Sequence, residues 1–160
     1  MKTEKTVEHR RGYSLAELMI IVFIIAILAT IAAPFLLTTL RQSTLEGAAD
    51  DMISTFSLAR SQAISSNTYC RIKFDEETSI ARVYEYKPDT EEWVITTDPV
   101  MLPETITFQT GGVTFPGAAA TFDPHGSLLE AGSITLLGPM GNTLQLEAIL
   151  ASGRLLRSEE

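Results

Sequence analysis

One cysteine, Cys70, is all the chain contains in 160 residues. That excludes an intramolecular disulfide, so any domain it builds rests on its packed core. Two histidines and one cysteine do not make a metal-ligand cluster. No glycine-rich phosphate loop follows a strand pattern, and there is no internal repeat or low-complexity tract. Ser-His-Asp triples can be drawn on paper in any chain this size, and none here has a geometric reason to be read as catalytic. His125 sits in a Pro-Gly turn, where a solvated loop residue is the default. We therefore expect no enzyme, no bound metal and no cofactor.

A second absence is of charge. From Leu18 to Leu40 no residue is ionisable. At ~1.5 Å rise per residue, ~20 apolar residues cross the hydrocarbon core of a bilayer, so this run suffices for a transmembrane helix. It is long for the apolar part of an ordinary secretory signal, ~7–15 residues, and no good small-x-small cleavage site follows it. The formal net charge of −8 is unevenly spread. Lys2, Lys5, Arg10 and Arg11 oppose only Glu4 and Glu8 ahead of the run, whereas residues 35–160 carry 8 Lys/Arg against 17 Asp/Glu. A basic tip, an apolar run and an acidic body orient the chain with its N-terminus in the cytoplasm and its body exported.

Past Arg41, apolar residues recur at spacings of three and four: Leu45, Ala48, Ala49, Met52, Ile53, Phe56, Ala59, Ala63 and Ile64. They define one helical face, with Glu46, Asp50, Ser54, Ser57 and Ser61 opposite. After Asn67 the period falls to two. Tyr69–Phe74 alternates, which points to a buried, unreactive Cys70 beside Ile72 and Phe74. Ile80–Lys87 reads as its hairpin partner across the acidic turn Asp75–Ser79. Further strand candidates are Trp93–Thr96, Thr105–Gln109, Val113–Phe115, Ala120–Phe122, Ser133–Leu137 and Thr143–Leu150. Gly111-Gly112, Pro116-Gly117, Pro124-His125-Gly126 and Gly138–Asn142 read as turns between them. The expected fold is α+β, a long N-terminal helix covering an antiparallel β-sandwich or roll. The acidic turns Asp75-Glu76-Glu77 and Asp89–Glu92 hold oxygen ligands of the kind calcium takes, but solvated hairpin turns are the preferred reading.

The segment Gly12-Tyr13-Ser14-Leu15-Ala16-Glu17-Leu18, running into the apolar helix, resembles the processing signal of type IV pilins and type II secretion pseudopilins. The resemblance implies that a prepilin peptidase of the inner membrane cuts after Gly12 and methylates the new amine of Tyr13. It also implies that Glu17 in one subunit meets the N-terminal amine of a neighbour as helices bundle, and that Pro34 is the helix-kinking proline. The implied segments are a leader at 1–12, a transmembrane helix at 13–40, an amphipathic continuation at 41–66 and a periplasmic β-rich domain at 67–160. A carboxylate at the bilayer centre costs ~2.5–3.5 kcal/mol on insertion scales, so Glu17 needs a partner. Pairing with its own amine, helped by the helix dipole, is the simpler alternative.

Three weaker signals fall in order along the body: Leu58-Ala59-Arg60-Ser61-Gln62-Ala63-Ile64, the turn Phe122-Asp123-Pro124-His125-Gly126, and Gly153-Arg154-Leu155-Leu156-Arg157. They resemble the H-type minor pseudopilins, although Arg-x-x-Arg replaces the tighter Arg-x-Arg spacing. No clear match to the calcium loop of a major pseudopilin is seen. The implied role is a structural subunit, at the tip or initiation of a periplasmic pseudopilus, with other major and minor pseudopilins as partners. The rival readings are a minor pilin that primes a type IV pilus and one that holds DNA through Arg154 and Arg157. With an acidic body around them, those two arginines are expected to be structural and nucleic acid to be repelled.

Overall fold

The computed structural model describes residues 14–150 and 152–158. The chain divides into two units, Met1–Thr39 and Leu40–Glu160. Helix α1, Leu15–Ser66, supplies the described part of the first unit and opens the second. Gly12 and Tyr13 lie outside the described residues.

Among the described residues of the first unit every apolar side chain is exposed. Leu18, Met19, Ile20 and Ile21 are consecutive, and all are at least 45 % exposed. Successive helical residues turn by ~100°, so four of them sample the whole circumference. The helix is greasy all round, which in a stable protein requires lipid or other helices as surroundings. Pro34 lies inside it. Without an N–H it leaves the Thr30 carbonyl one intrahelical bond short. Thr30 and Thr38 fold their hydroxyls back on the carbonyls of Ala26 (2.8 Å) and Pro34 (3.0 Å), so neither presents a free polar group.

In the second unit the helical stripe is buried as expected at Leu45, Ala48, Ala49, Met52, Phe56, Ala59 and Ala63. Four of these are alanines, which let the sheets approach the helix closely. Ile53 is only half-buried and Ile64 is exposed, so the stripe is narrower than its apolar residues suggested. Thr55 joins it instead, because its hydroxyl is already satisfied by the Asp51 carbonyl at 2.7 Å. The helix ends at Asn67, which takes φ 48°. The Asn67 N–H returns to Ile64 O and the Thr68 N–H to Ala63 O, a Schellman closure.

The strands that follow are β1 (Cys70–Asp75), β2 (Ile80–Lys87), β3 (Glu92–Ile95), β4 (Val100–Met101), β5 (Thr107–Val113), β6 (Ala119–Phe122), β7 (Ser133–Leu137), β8 (Thr143–Ile149) and β9 (Arg154–Arg157). They form two antiparallel sheets. One has the order β3-β2-β1-β6, with β4 beside β2, and the other the order β5-β7-β8-β9. β1 alternates as read from the sequence, with Cys70, Ile72 and Phe74 buried. Phe56 of the helix, Phe74 and Phe122 of the first sheet and Phe115 pack as one aromatic cluster. Ring centroids lie 5.7–6.2 Å from Phe56. Phe108 of the second sheet adds an edge contact to Phe74 at 5.9 Å. Helix and both sheets thus share a single core.

The expected turn at Gly111-Gly112, with separate strands before and after it, is not what forms. Both glycines lie inside β5, and Val113 closes that strand. The pairing with β7 slips there: Phe108 faces Leu136, yet Val113 faces Ile134. The extra residues are taken up in a bulge. Gly111 adopts φ 69°, and a Cβ on Gly112 would lie 2.8 Å from Gln109 O. The glycines mark an irregularity within a strand and not its end. β4 carries too few residues to show a period.

Candidate functional site

Three sequence signals that lie far apart in the chain meet at one place. The turn Asp123–Ser127 is held by the Asp123 carboxylate, whose Oδ1 accepts the N–H groups of His125 (2.9 Å) and Ser127 (2.8 Å). This fixes Gly126 at φ 78° and offers its carbonyl to Arg60 of the helix, whose Nε donates at 3.0 Å. A Cβ at Gly126 would stand 2.6 Å from Ile64 Cδ1. On the other side, a Cβ at Gly153 would stand 2.6 Å from Gly126 O and 3.0 Å from the Phe122 ring. The helical Arg60 and Ile64, the turn at Gly126 and the hairpin at Gly153 are therefore in mutual contact, and only glycine fits at the two turn positions.

Beside this junction runs a groove of about 600 Å³, lined by Ser57, Arg60, Ser61, Ile64, Ser65, Gly153 and Arg154. The helical members fall at spacings of three and four, one face of α1. Ser57 and Ser65 back-bond to the helix carbonyls of Ile53 and Gln62. The sequence pattern puts Ser57 and Ser61 on the helix face opposite the apolar stripe and names Arg60 only as part of the Leu58–Ile64 segment. The signal that was available was the Leu58–Ile64 segment itself.

The two terminal arginines do not form one patch. A separation of three places them on opposite sides of an alternating strand. Leu155 of β9 is buried and Leu156 exposed. Arg157 donates from Nη2 to Asp50 Oδ1 at 2.7 Å, an exposed ion pair to the helix. Arg154 lines the groove and has no side-chain bond or ion pair among the described residues. No cluster of three or more His, Cys, Asp or Glu suited to a metal occurs among the described residues. The acidic turn after β1 is engaged by the protein itself. Asp75 Oδ1 accepts the N–H groups of Glu77 and Thr78, and hydrogen bonding from Thr78 is the main reason its carboxyl titrates below the usual range. Glu76 accepts from Gly111 and Val113.

Glu17 stands in the first turn of α1, where the helix dipole favours a negative charge. It is the one charged residue in the apolar first half of that helix, residues 15–40. The prokaryotic N-terminal methylation motif matches residues 9–33, the stretch that holds Gly12, Tyr13 and Glu17. The family model described as type II transport protein GspH matches residues 48–153. The chain belongs to the GspH family. Membership makes it a pseudopilin, a structural and non-enzymatic protein, and the methylation motif implies processing by a prepilin peptidase.

Solved structures share the fold. The minor pseudopilin EpsH from the type II secretion system of Vibrio cholerae superposes with a TM-score of 0.58 at 13% identity, covering 74% of this chain and 97% of that one. The type IV minor pilin FimU of Pseudomonas aeruginosa gives 0.56 at 16% identity, covering 74% and 90%. No curated protein matches the chain.

Proposed function

We propose that this GspH-family chain serves at the tip or initiation stage of a type II secretion pseudopilus, anchored in the inner membrane with its β-rich body in the periplasm. Cleavage between Gly12 and Tyr13 exposes an amine four residues ahead of Glu17 in the sequence. In the membrane that amine and Glu17 of the same chain neutralise each other. During assembly Glu17 takes the amine of a neighbouring subunit, which fixes the axial register between helices. The observation that carries this reading is the apolar first half of α1, residues 15–40, exposed on every side and bearing one carboxylate in its first turn. Such a surface is stable in lipid, and it is stable again when packed by other such helices. A tip or initiation role is favoured over bulk filament because the sequence shows no clear match to the major pseudopilin's calcium loop.

Glu17→Ala tests the register role. Membrane insertion of the variant should survive while its recovery in sheared or purified filaments falls at least about tenfold, the scale of losing one partly desolvated ion pair. Normal incorporation would refute the pairing. Mass spectrometry of the mature protein should find an N-methylated Tyr13 at its start. An intact leader, or trimming near Ala33, would refute the processing.

The fold likeness to FimU favours one second reading, a minor pilin that primes a type IV pilus. Affinity purification of the mature protein, with its partners identified by mass spectrometry, separates the two: secretion pseudopilins in one case, pilins in the other.

A further inference from the structure

We propose that the groove between α1 and the start of β9 is a docking site for an exposed acidic segment of a neighbouring pseudopilin subunit. The proposal rests on the filament reading above for the identity of the neighbour, but its chemistry is independent of that reading.

Residues 35–160 carry 17 acids against 8 bases, so a patch of this surface chosen at random is more often negative than positive. The groove departs from that pattern. Its lining holds two guanidinium groups, Arg60 and Arg154, and no carboxylate. Arg60 uses Nε on the Gly126 carbonyl, and its Nη groups make no bond among the described residues. Arg154 is exposed, with no side-chain partner among the described residues. Guanidinium pairs carboxylates in a planar, two-pronged geometry, so two of them on one groove suit a segment with two or more acids. The same lining includes Ile64, 48 % exposed despite its apolar side chain, which offers an apolar side chain of the partner a place to bury. Ser61, exposed on the same helical face, adds a hydroxyl.

Nucleic acid fits less well. Two cations neutralise about two phosphates, a small counterion-release gain. The lining has no aromatic side chain on which a base could stack. The acidic body repels a polyanion over long range, whereas a short acidic segment on a docked neighbour feels mainly the local field.

The test places a photo-crosslinking amino acid at Ser61 of the full chain, in cells that assemble the filament, and maps adducts by mass spectrometry. A second chain carries the crosslinker at Ile24, in the apolar helix. The expected result is a Ser61 adduct on an acidic segment of another pseudopilin. Arg154→Glu should reduce it about tenfold or more, as expected for reversing one charge of a close pair. Reversing the charge of the mapped partner segment should restore it. Ser61 adducts with nucleic acid, a secreted protein or a second copy of this chain, no Ser61 adduct at all, or an adduct indifferent to Arg154→Glu, would each overturn the proposal. If the Ile24 position still crosslinks to other pseudopilins in those cases, the docking inference falls alone. If Ile24 yields none either, the filament reading falls with it.

Discussion

The Glu76 carboxylate receives the Gly111 N–H at 2.9 Å, and through its other oxygen the Val113 N–H at 3.1 Å. One side chain from the β1–β2 turn thus satisfies the backbone of a bulge in the opposite sheet. β5 is the edge strand of its sheet and its pairing with β7 is irregular here, and for amides on such an edge an ionised acceptor is the strongest available partner. Two charge-assisted bonds, partly exposed, are worth about 1–3 kcal/mol together. Glu76→Ala should therefore lower the unfolding free energy by about that amount in chemical denaturation of the detergent-solubilised chain. Glu77→Ala, one residue along and exposed, should stay within ~0.5 kcal/mol of the parent. Equal effects from the two would show that the bridge between sheets contributes nothing.

Gly153 has both constraints that make a glycine hard to replace. Its φ is +58°, and its missing Cβ would sit 2.6 Å from the Gly126 carbonyl oxygen. Gly141 has the first constraint only, with φ +76° and open space around it. Gly141→Ala should cost about 1 kcal/mol, the left-handed penalty alone. Gly153→Ala should cost more than ~2 kcal/mol, because the colliding atom is backbone and the β8–β9 hairpin must move away from the Asp123–Ser127 turn. Denaturation midpoints of the two variants measure the difference. If Gly153→Ala proved as mild as Gly141→Ala, the junction of helix, turn and hairpin would be looser than the distances indicate.

Much of this architecture could be read from side-chain periodicity. The period of 3.6 at Leu45–Ala63 and the period of two at Cys70–Phe74 each name a buried face, because burial acts on each residue separately. The hairpin partner Ile80–Lys87 and the strand Ser133–Leu137 followed in the same way. Periodicity fails where the backbone departs from it, as at Gly111-Gly112, which punctuate a strand without ending it. It is silent on a two-residue strand such as Val100–Met101, and on which strands become neighbours. The groove was also hidden. The segments that hold Arg60, Gly126 and Gly153 each stand out in sequence, but only the fold brings residues so far apart in the chain together. The Arg154 and Arg157 pair shows the converse. The rival reading joined them in one basic patch, while strand alternation and Asp50 separate them.

Cys70 allows the burial of the first sheet to be tested through its chemistry. Its side chain is inaccessible, and burial foremost pushes its thiol pKa up from 9.0 to about 11. The Glu85 carboxylate adds to the shift and Lys87 opposes it. Glu85 stands opposite Cys70 in the β1–β2 register and is itself buried. It is held by Gln62 Nε2 of the helix at 3.2 Å and by the Lys87 ammonium. The thiol keeps its proton more tightly in the folded chain than in the unfolded one. Its contribution to stability is therefore complete below pH 9.0 and is lost as pH rises through about 11. Two measurements follow. At pH 8 a thiol-alkylating reagent should label the folded protein only as fast as it unfolds, with complete labelling in denaturant. Between pH 9 and 11 the parent should lose stability more steeply than Cys70→Ala, whatever offset the smaller side chain introduces. Labelling within minutes in native buffer, or parallel pH slopes for parent and variant, would mean that the helix does not seal this sheet as the Cys70–Glu85–Gln62 arrangement requires.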